Sequence, residues 1–267
     1  MKSLKELGHR ILTEGVWIGN QRTGKKCLTI PTHIECFSGL GPLPIDTTRK
    51  QMVKAPIMEL IGYLRGYTNA QDFADIGSPT WFANANETKS WLDNPNRIGD
   101  NDCGAIYQFA DEMLEIYRKL SKGIDDRGLI ATAWKPETFD KACLRPCMFQ
   151  HQFQLVGDTL HLTSIQRSAD VPMAGSWNSI QSYALLNIMA QVTGLKVGTV
   201  TRIINHAHIY EDQYELFKGQ MEREEITCKP ELRINIDTYN DIFTCTKDDF
   251  VLTGYEHHPA IKYPFTS

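Results

Sequence analysis

The chain has 267 residues, 42% of them hydrophobic and 22% charged, with a formal net charge of −4. That length suits one sizeable α/β domain and leaves little for a second. The acidic balance excludes a general nucleic-acid binder, which carries a basic face, so direct nucleic-acid binding is not expected.

No run approaches the roughly 18 apolar residues of a membrane span. The opening Met1-Lys2-Ser3-Leu4-Lys5-Glu6 mixes acid and base around no apolar signal core, so a cytoplasmic protein is expected. The seven cysteines, at 27, 36, 103, 143, 147, 228 and 245, are odd in number and scattered. That suits reduced thiols better than a disulfide framework.

Leu4, Leu7, Ile11 and Leu12 recur at helical spacing and predict an amphipathic helix over 3–15. The polar loop Gly19-Asn20-Gln21-Arg22-Thr23-Gly24-Lys25-Lys26 follows. Its amides and Arg22 can hold a phosphate, and a basic loop can equally be solvated. Residues 27–30 and 33–37 read as strands. A helix is predicted over 52–64, with Ile57, Leu60, Ile61 and Leu64 on one side and Pro56 best placed in the first turn. Glu59 lies inside it. On residue type alone that reads as a snorkelling or surface carboxylate. Residues 75–102, rich in Asn, Gly and Pro, predict an irregular insertion within a single domain spanning 1–267. Trp81 in that stretch is either a local anchor or a platform for a flat ligand. A helix over 107–120, a turn at 125–128 and a buried-type strand over 129–134 come next. Arg127 at the strand's start reads as a solvated charge. Later come a helix over 179–192 opened by Asn178, a β-branched strand over 199–204, a helix over 211–220, strands at 232–236 and 250–252, and a proline-containing tail over 254–267.

Two segments carry nucleophilic chemistry. In Leu144-Arg145-Pro146-Cys147-Met148 a cysteine opens an apolar, strand-like run (Phe149, Phe153, Leu155). In Gln166-Arg167-Ser168-Ala169-Asp170 an arginine, a serine and an aspartate close another run, Leu160 to Ile165. A guanidinium beside a thiol favours the ionised sulfur, and its planar fork suits a phosphate. For an arbitrary cysteine the plainer reading is a buried structural thiol. The Cys143/Cys147 spacing and the His206/His208 pair lack the second ligand pair a metal site needs, so no metal is expected. His257-His258 reads as a polar turn before Pro259.

Arg145-Pro146-Cys147, then Gln166-Arg167-Ser168-Ala169-Asp170-Val171, then Asn178 and His208-Ile209-Tyr210, resemble thymidylate synthase and its relatives, the pyrimidine nucleotide hydroxymethylases. The resemblance runs from Arg22-Thr23-Gly24 to His258-Pro259-Ala260-Ile261-Lys262, with several motifs in the same order. It implies an α/β (α+β) fold, a large twisted mixed sheet with helices on one face, whose backs pair in a homodimer. It implies a pyrimidine nucleoside monophosphate as substrate and 5,10-methylenetetrahydrofolate as one-carbon donor. The Cys147 thiolate would add to C6, making C5 nucleophilic enough to attack the one-carbon unit. Glu59 would organise water and proton transfer near the base, a task for a carboxylate of raised pKa. Tyr107 joins it in the catalytic set. Arg22, Arg167, Ser168 and the partner subunit's Arg127 would grip the 5′-phosphate. His208 and Tyr210 would bond the sugar 3′-hydroxyl. Trp81, Leu144, Asp170, Ala174 and Trp177 would form the folate site, with Asp170 on the pterin.

Asn178 would select the base, because a carboxamide pairs with uracil O4 and N3–H together. The deoxycytidylate enzymes of the family carry aspartate there. Counting forward from Arg167 places Asn178 at that position. Matching Gly175 and Ser182-Tyr183-Ala184-Leu185-Leu186 places Ser179 there instead. Asn178 is preferred because only it offers both donor and acceptor.

The chain departs from the synthase pattern. Met148 stands for the histidine after the nucleophile, and Tyr107-Gln108-Phe109-Ala110 for Tyr-Gly-x-Gln-Trp-Arg. Asn84 stands for a second folate-site tryptophan, and Gly128 for the second arginine of a pair. The phage deoxycytidylate hydroxymethylases also lack the histidine and the Tyr-Gly motif. Looser folate packing should admit water to the C5 methylene. The expectation is therefore a dUMP hydroxymethylase that supplies a precursor for DNA modification. The first alternative is thymidylate synthesis, favoured by the synthase-like tail at His258-Pro259. A dCMP or CMP hydroxymethylase follows, then an inactive nucleotide-binding homologue.

Overall fold

The computed structural model describes residues 4–21 and 23–265. In chain order the elements begin α1 (Leu4–Glu14), β1 (Val16–Gly19), β2 (Lys26–Ile30), β3 (His33–Ser38), α2 (Lys54–Leu64), α3 (Ala70–Asp75), α4 (Phe82–Glu87), α5 (Lys89–Leu92) and α6 (Ala110–Leu120). They continue with β4 (Ile130–Thr132), β5 (Met148–Val156), β6 (Thr159–Gln166), β7 (Ala169–Asp170), α7 (Val171–Thr193), β8 (Lys196–Ile204) and β9 (Ala207–Tyr210). The last are α8 (Tyr214–Met221), β10 (Glu231–Ile234) and β11 (Phe250–Thr253).

The fold is mixed α/β, and its strands form twisted mixed sheets. The largest has the order β3-β8-β6-β5-β4, antiparallel throughout except for the parallel pair β6 and β8. A second has the order β1-β2-β9-β7, and β10 pairs with β11 alone. Burial alternates along β3 and β6, so one sheet face is core and the other half-exposed. Phe37, Phe153, Leu160, Leu162 and Val200 form the core face and cluster with Ile180, Leu185 and Met189 of α7. α7 is buried along most of its length, which explains a helix apolar nearly all round. Pro172 sits in its first turn and Gly194 closes it in the left-handed region at φ 69°.

Local chemistry moved several predicted boundaries. The 107–120 helix begins at Ala110, because Tyr107 has φ 45° and cannot sit in a right-handed turn. The 179–192 helix begins eight residues earlier, at Val171, so Asn178 lies inside it rather than opening it. The 129–134 strand shortens to Ile130–Thr132. The 211–220 helix starts with a 3-10 turn over Glu211–Gln213. The 75–102 stretch is folded around α4 and α5. There Trp91 is buried and donates to the Asp102 carbonyl at 2.6 Å, and Asn86 pairs with Asn101.

Gly62 lets α2 press on Phe73. A Cβ there would lie 2.3 Å from the Phe73 ring, which is wholly buried. Gly62→Ala is expected to destabilise the fold by about 1–3 kcal/mol through overpacking, read from chemical denaturation. An unchanged midpoint would contradict this packing.

Candidate active site

The ends of β5 and β6 bring the two motif segments together. The Arg167 N–H donates to the Cys147 carbonyl at 2.9 Å, tying the loop before β5 to the end of β6. The Arg167 side chain then folds back over that loop. Its Nε donates to the Pro146 carbonyl at 2.9 Å and its Nη2 to the Arg145 carbonyl at 3.0 Å. The guanidinium is thereby fixed where Nη2 lies 3.7 Å from Cys147 Sγ. Ser168 Oγ lies 3.9 Å from the same sulfur and accepts from Arg167 Nη1 at 3.3 Å. Cys147 is half-buried, so the sulfur is held without being sealed off.

This cluster lines a cavity of about 740 Å³, a size typical of small-molecule sites. The cavity gathers Leu144, Cys147, Arg167, Ser168, Asp170, Ala174, His208 and Tyr210, all named from the sequence. Gly19, Asn20 and Gln21 bring the β1–β2 loop to its rim, while Arg22 lies outside the described residues. Asn84 also lines it.

Glu59, Tyr107 and Trp81 are buried and do not line this cavity, and half-buried Asn178 and Trp177 adjoin its wall through their neighbours. The Tyr107 hydroxyl accepts from the Cys147 N–H at 3.0 Å. Burial pushes the Tyr107 phenol well above its usual pKa, keeping it neutral. Trp81 packs edge-on against Tyr63 and Tyr107. Trp177, expected at the folate, donates its indole N–H to Glu59 Oε2 at 2.7 Å. Glu59 also accepts from Thr80 Oγ1 at 2.7 Å and Gln181 Nε2 at 2.8 Å. Its burial raises the carboxyl pKa, and those three donors pull against that rise. Of the two register candidates, Asn178 faces Gln166 at the cavity wall, and Ser179 turns inward to Glu35 and Arg202. Arg127 is exposed in the turn before β4, away from this cavity.

The sequence reading missed Gln166, Gln181, Thr80, Glu35 and Arg202. Gln166 lay in plain view inside its own motif. Gln181 follows Asn178 by one helical turn, a spacing that puts both on one face. Arg202 sits between Val200 and Ile204 at period two, a charge on the buried face of a strand.

Asp170, at the start of α7, has one carboxylate oxygen, Oδ1, buried with no hydrogen-bond partner. Its other oxygen accepts from Gln213 Nε2 at 3.0 Å. A buried acceptor left open in a cavity wall fits a ring N–H donor such as a pterin offers. Among the described residues no group of three or more His, Cys, Asp or Glu is placed to hold a metal.

A half-buried thiol fixed under a guanidinium at the wall of a small-molecule cavity is an arrangement suited to nucleophilic catalysis by sulfur. A family model described as "Thymidylate synthase" matches residues 2–267. Curated proteins named thymidylate synthase from Shewanella halifaxensis and Haemophilus influenzae are each 48% identical over 100% of both chains. One from Shewanella pealeana is 49% identical over the same share. The chain belongs to the thymidylate synthase family and is a one-carbon transferase of that family. The hydroxymethylase expectation is thereby corrected: relatives this similar from end to end carry the synthase name, so the motif departures do not mark a change of product. Among the described residues no helix is long and apolar enough to cross a membrane.

Burial holds the Asp170 carboxyl up at about 7, with Gln213 pulling the other way. Between about 4 and 7 the folded chain therefore keeps a proton that the unfolded chain releases, so this group costs stability as pH rises through that window. Asp170→Asn removes that cost. The Tm difference, variant minus native, should grow from pH 5 to pH 8 in a calorimetric series, and a constant difference would contradict the assignment.

Proposed function

We propose that the chain acts as a thymidylate synthase, converting dUMP to dTMP with 5,10-methylenetetrahydrofolate as co-substrate. The observation that carries this reading is the Cys147 sulfur under Arg167 and Ser168 in the cavity wall. When bound, the folate supplies both the carbon and the hydride that completes the methyl group. Cys147 Sγ bonds to C6 of the uracil, and Arg167 with Ser168 and Arg22 holds the 5′-phosphate. His208 and Tyr210 meet the sugar. Asn178 Oδ1 and Nδ2 each make one protein hydrogen bond and keep a second position for uracil N3–H and O4. Glu59, desolvated and joined to Asn178 through Gln181, moves protons near O4. Asp170 Oδ1 accepts from the pterin.

The native chain, given dUMP and methylenetetrahydrofolate, should yield dTMP and dihydrofolate by mass. A product heavier than dTMP by one oxygen would sink the reading. Cys147→Ala should abolish tritium release from C5-labelled dUMP, and retained release would exclude the covalent step.

A homodimer with a shared site belongs to the same proposal. The outer face of the five-stranded sheet presents Ile34 and Ile130, 53% and 38% exposed, beside Thr163 and Thr201. Arg127 lies exposed near that sheet's β4 edge, which suits donation to the other subunit's phosphate. Arg127→Ala should raise the KM for dUMP severalfold. Mixing it with Cys147→Ala chains should recover part of the activity through one intact hybrid site. A mixture no better than its parts would count against sharing.

A further inference from the structure

Through Gln166 of the cavity wall, four side-chain hydrogen bonds run head to tail. Arg202 Nη2 donates to Gln166 Oε1 at 2.9 Å, and Gln166 Nε2 to Asn178 Oδ1 at 2.9 Å. Asn178 Nδ2 then donates to Gln181 Oε1 at 2.8 Å, and Gln181 Nε2 to Glu59 Oε2 at 2.8 Å. Every link points the same way, from a guanidinium to a carboxyl group.

The direction follows from chemistry. An arginine has only donors, so Gln166 must turn its oxygen toward Arg202 and its NH₂ toward Asn178. Asn178 is then forced in turn, the Pro56 carbonyl holds Gln181 in the same sense, and Glu59 meets the last link as an acceptor. Arg202 is 1% exposed, and its Nη1 is paired with Glu35 Oε2 at 2.7 Å, directly across the β3–β8 ladder. Nη1 also donates to Ser179 Oγ. A buried ion pair is a weak source of stability, because desolvation offsets the attraction. Its effect here lies in the direction it imposes.

We propose that Arg202, acting through Gln166 and Gln181, is a positioning residue that fixes the amide orientation of Asn178 and holds Glu59 as a hydrogen-bond acceptor. The link to catalysis rests on the reading of Asn178 and Glu59 given above, while the polarity of the chain does not. The other groups facing Glu59 are Tyr63 on its own helix, Tyr107 from the segment before α6, Thr80, and Trp177 of α7. Burial keeps both phenols neutral, so neither competes as a charge. Gln181 also donates to the Pro56 carbonyl, which anchors it to the start of α2.

Gln166→Glu tests the polarity. A carboxylate at 166 satisfies Arg202 but cannot donate to Asn178. Asn178 must then turn over, and Gln181 follows it by giving up the Pro56 carbonyl and presenting its oxygen to Glu59. Only a protonated Glu59 can answer that oxygen. Gln166→Met breaks the same link without reversing it. Glu59 is titrated in each full-length protein by ¹³C carboxyl NMR, beside a dTMP assay. The Glu59 midpoint should rise in Gln166→Glu above both the native chain and Gln166→Met, and kcat at pH 7 should fall about tenfold or more with loss of a charge-assisted bond. A Gln166→Glu midpoint equal to or below that of Gln166→Met overturns the inference. If Gln166→Glu does not fold, the apolar replacement Glu35→Met/Arg202→Met serves. Freed of its donor, the chain should let the midpoint rise above native, and an unchanged midpoint overturns the inference. A native chain that makes no dTMP, yet shows the rise, would sink the functional reading and leave the polarity standing.

Discussion

The site depends on one crossing of the chain. Arg167 caps the end of β6 and reaches back over the loop that opens β5, spending three N–H groups on the Cys147, Pro146 and Arg145 carbonyls. Those bonds fix the guanidinium before any ligand arrives, so little freedom remains to be lost on binding. The same crossing sets the Cys147 sulfur beside Arg167 and Ser168, and the Tyr107 hydroxyl accepts from the Cys147 N–H. Tyr107 reaches that N–H from a left-handed backbone position, which is why α6 cannot begin until Ala110. Strand pairing brings β7 beside β9, so Asp170, His208 and Tyr210 meet Cys147 at one cavity.

Behind that wall the chemistry around Glu59 has been rebuilt from this chain's own residues. Met148, where the family pattern has histidine, is buried and takes a hydroxyl contact from Ser182. The polar partners of Glu59 come instead from Thr80, Trp177 and Gln181. Read position by position, the departures suggested a loosened site open to water. In the fold, Thr80, Trp177 and Gln181 leave Glu59 enclosed and hydrogen-bonded. What decides against a hydroxymethylase is the synthase name of relatives similar from end to end.

Much of the site was legible because its parts lie in short contiguous motifs. Cys147, Arg167, Ser168, Asp170, His208 and Tyr210, which line one cavity, could be named without coordinates: Cys147 and Arg167 from residue type and local order, the others with the family resemblance. Helix and strand cores followed from periodicity. Boundaries did not: α7 starts at Val171, with Pro172 in its first turn, eight residues before the apolar run becomes evident, and Trp91 folds a stretch that composition marked as irregular. The relay through Gln166, Gln181 and Arg202 was hidden for another reason. An amide on a helix and a charge on a strand look like surface residues until the elements that bury them are assembled.

The most direct test of the account is the mass of the protein after incubation with 5-fluoro-dUMP and methylenetetrahydrofolate. Fluorine at C5 cannot leave as a proton does, so a C6 thioether should persist once formed. The account predicts a covalent adduct carrying both ligands, located by digestion on the peptide that bears Cys147. No mass increase, or an adduct on any of the other six cysteines, would contradict it.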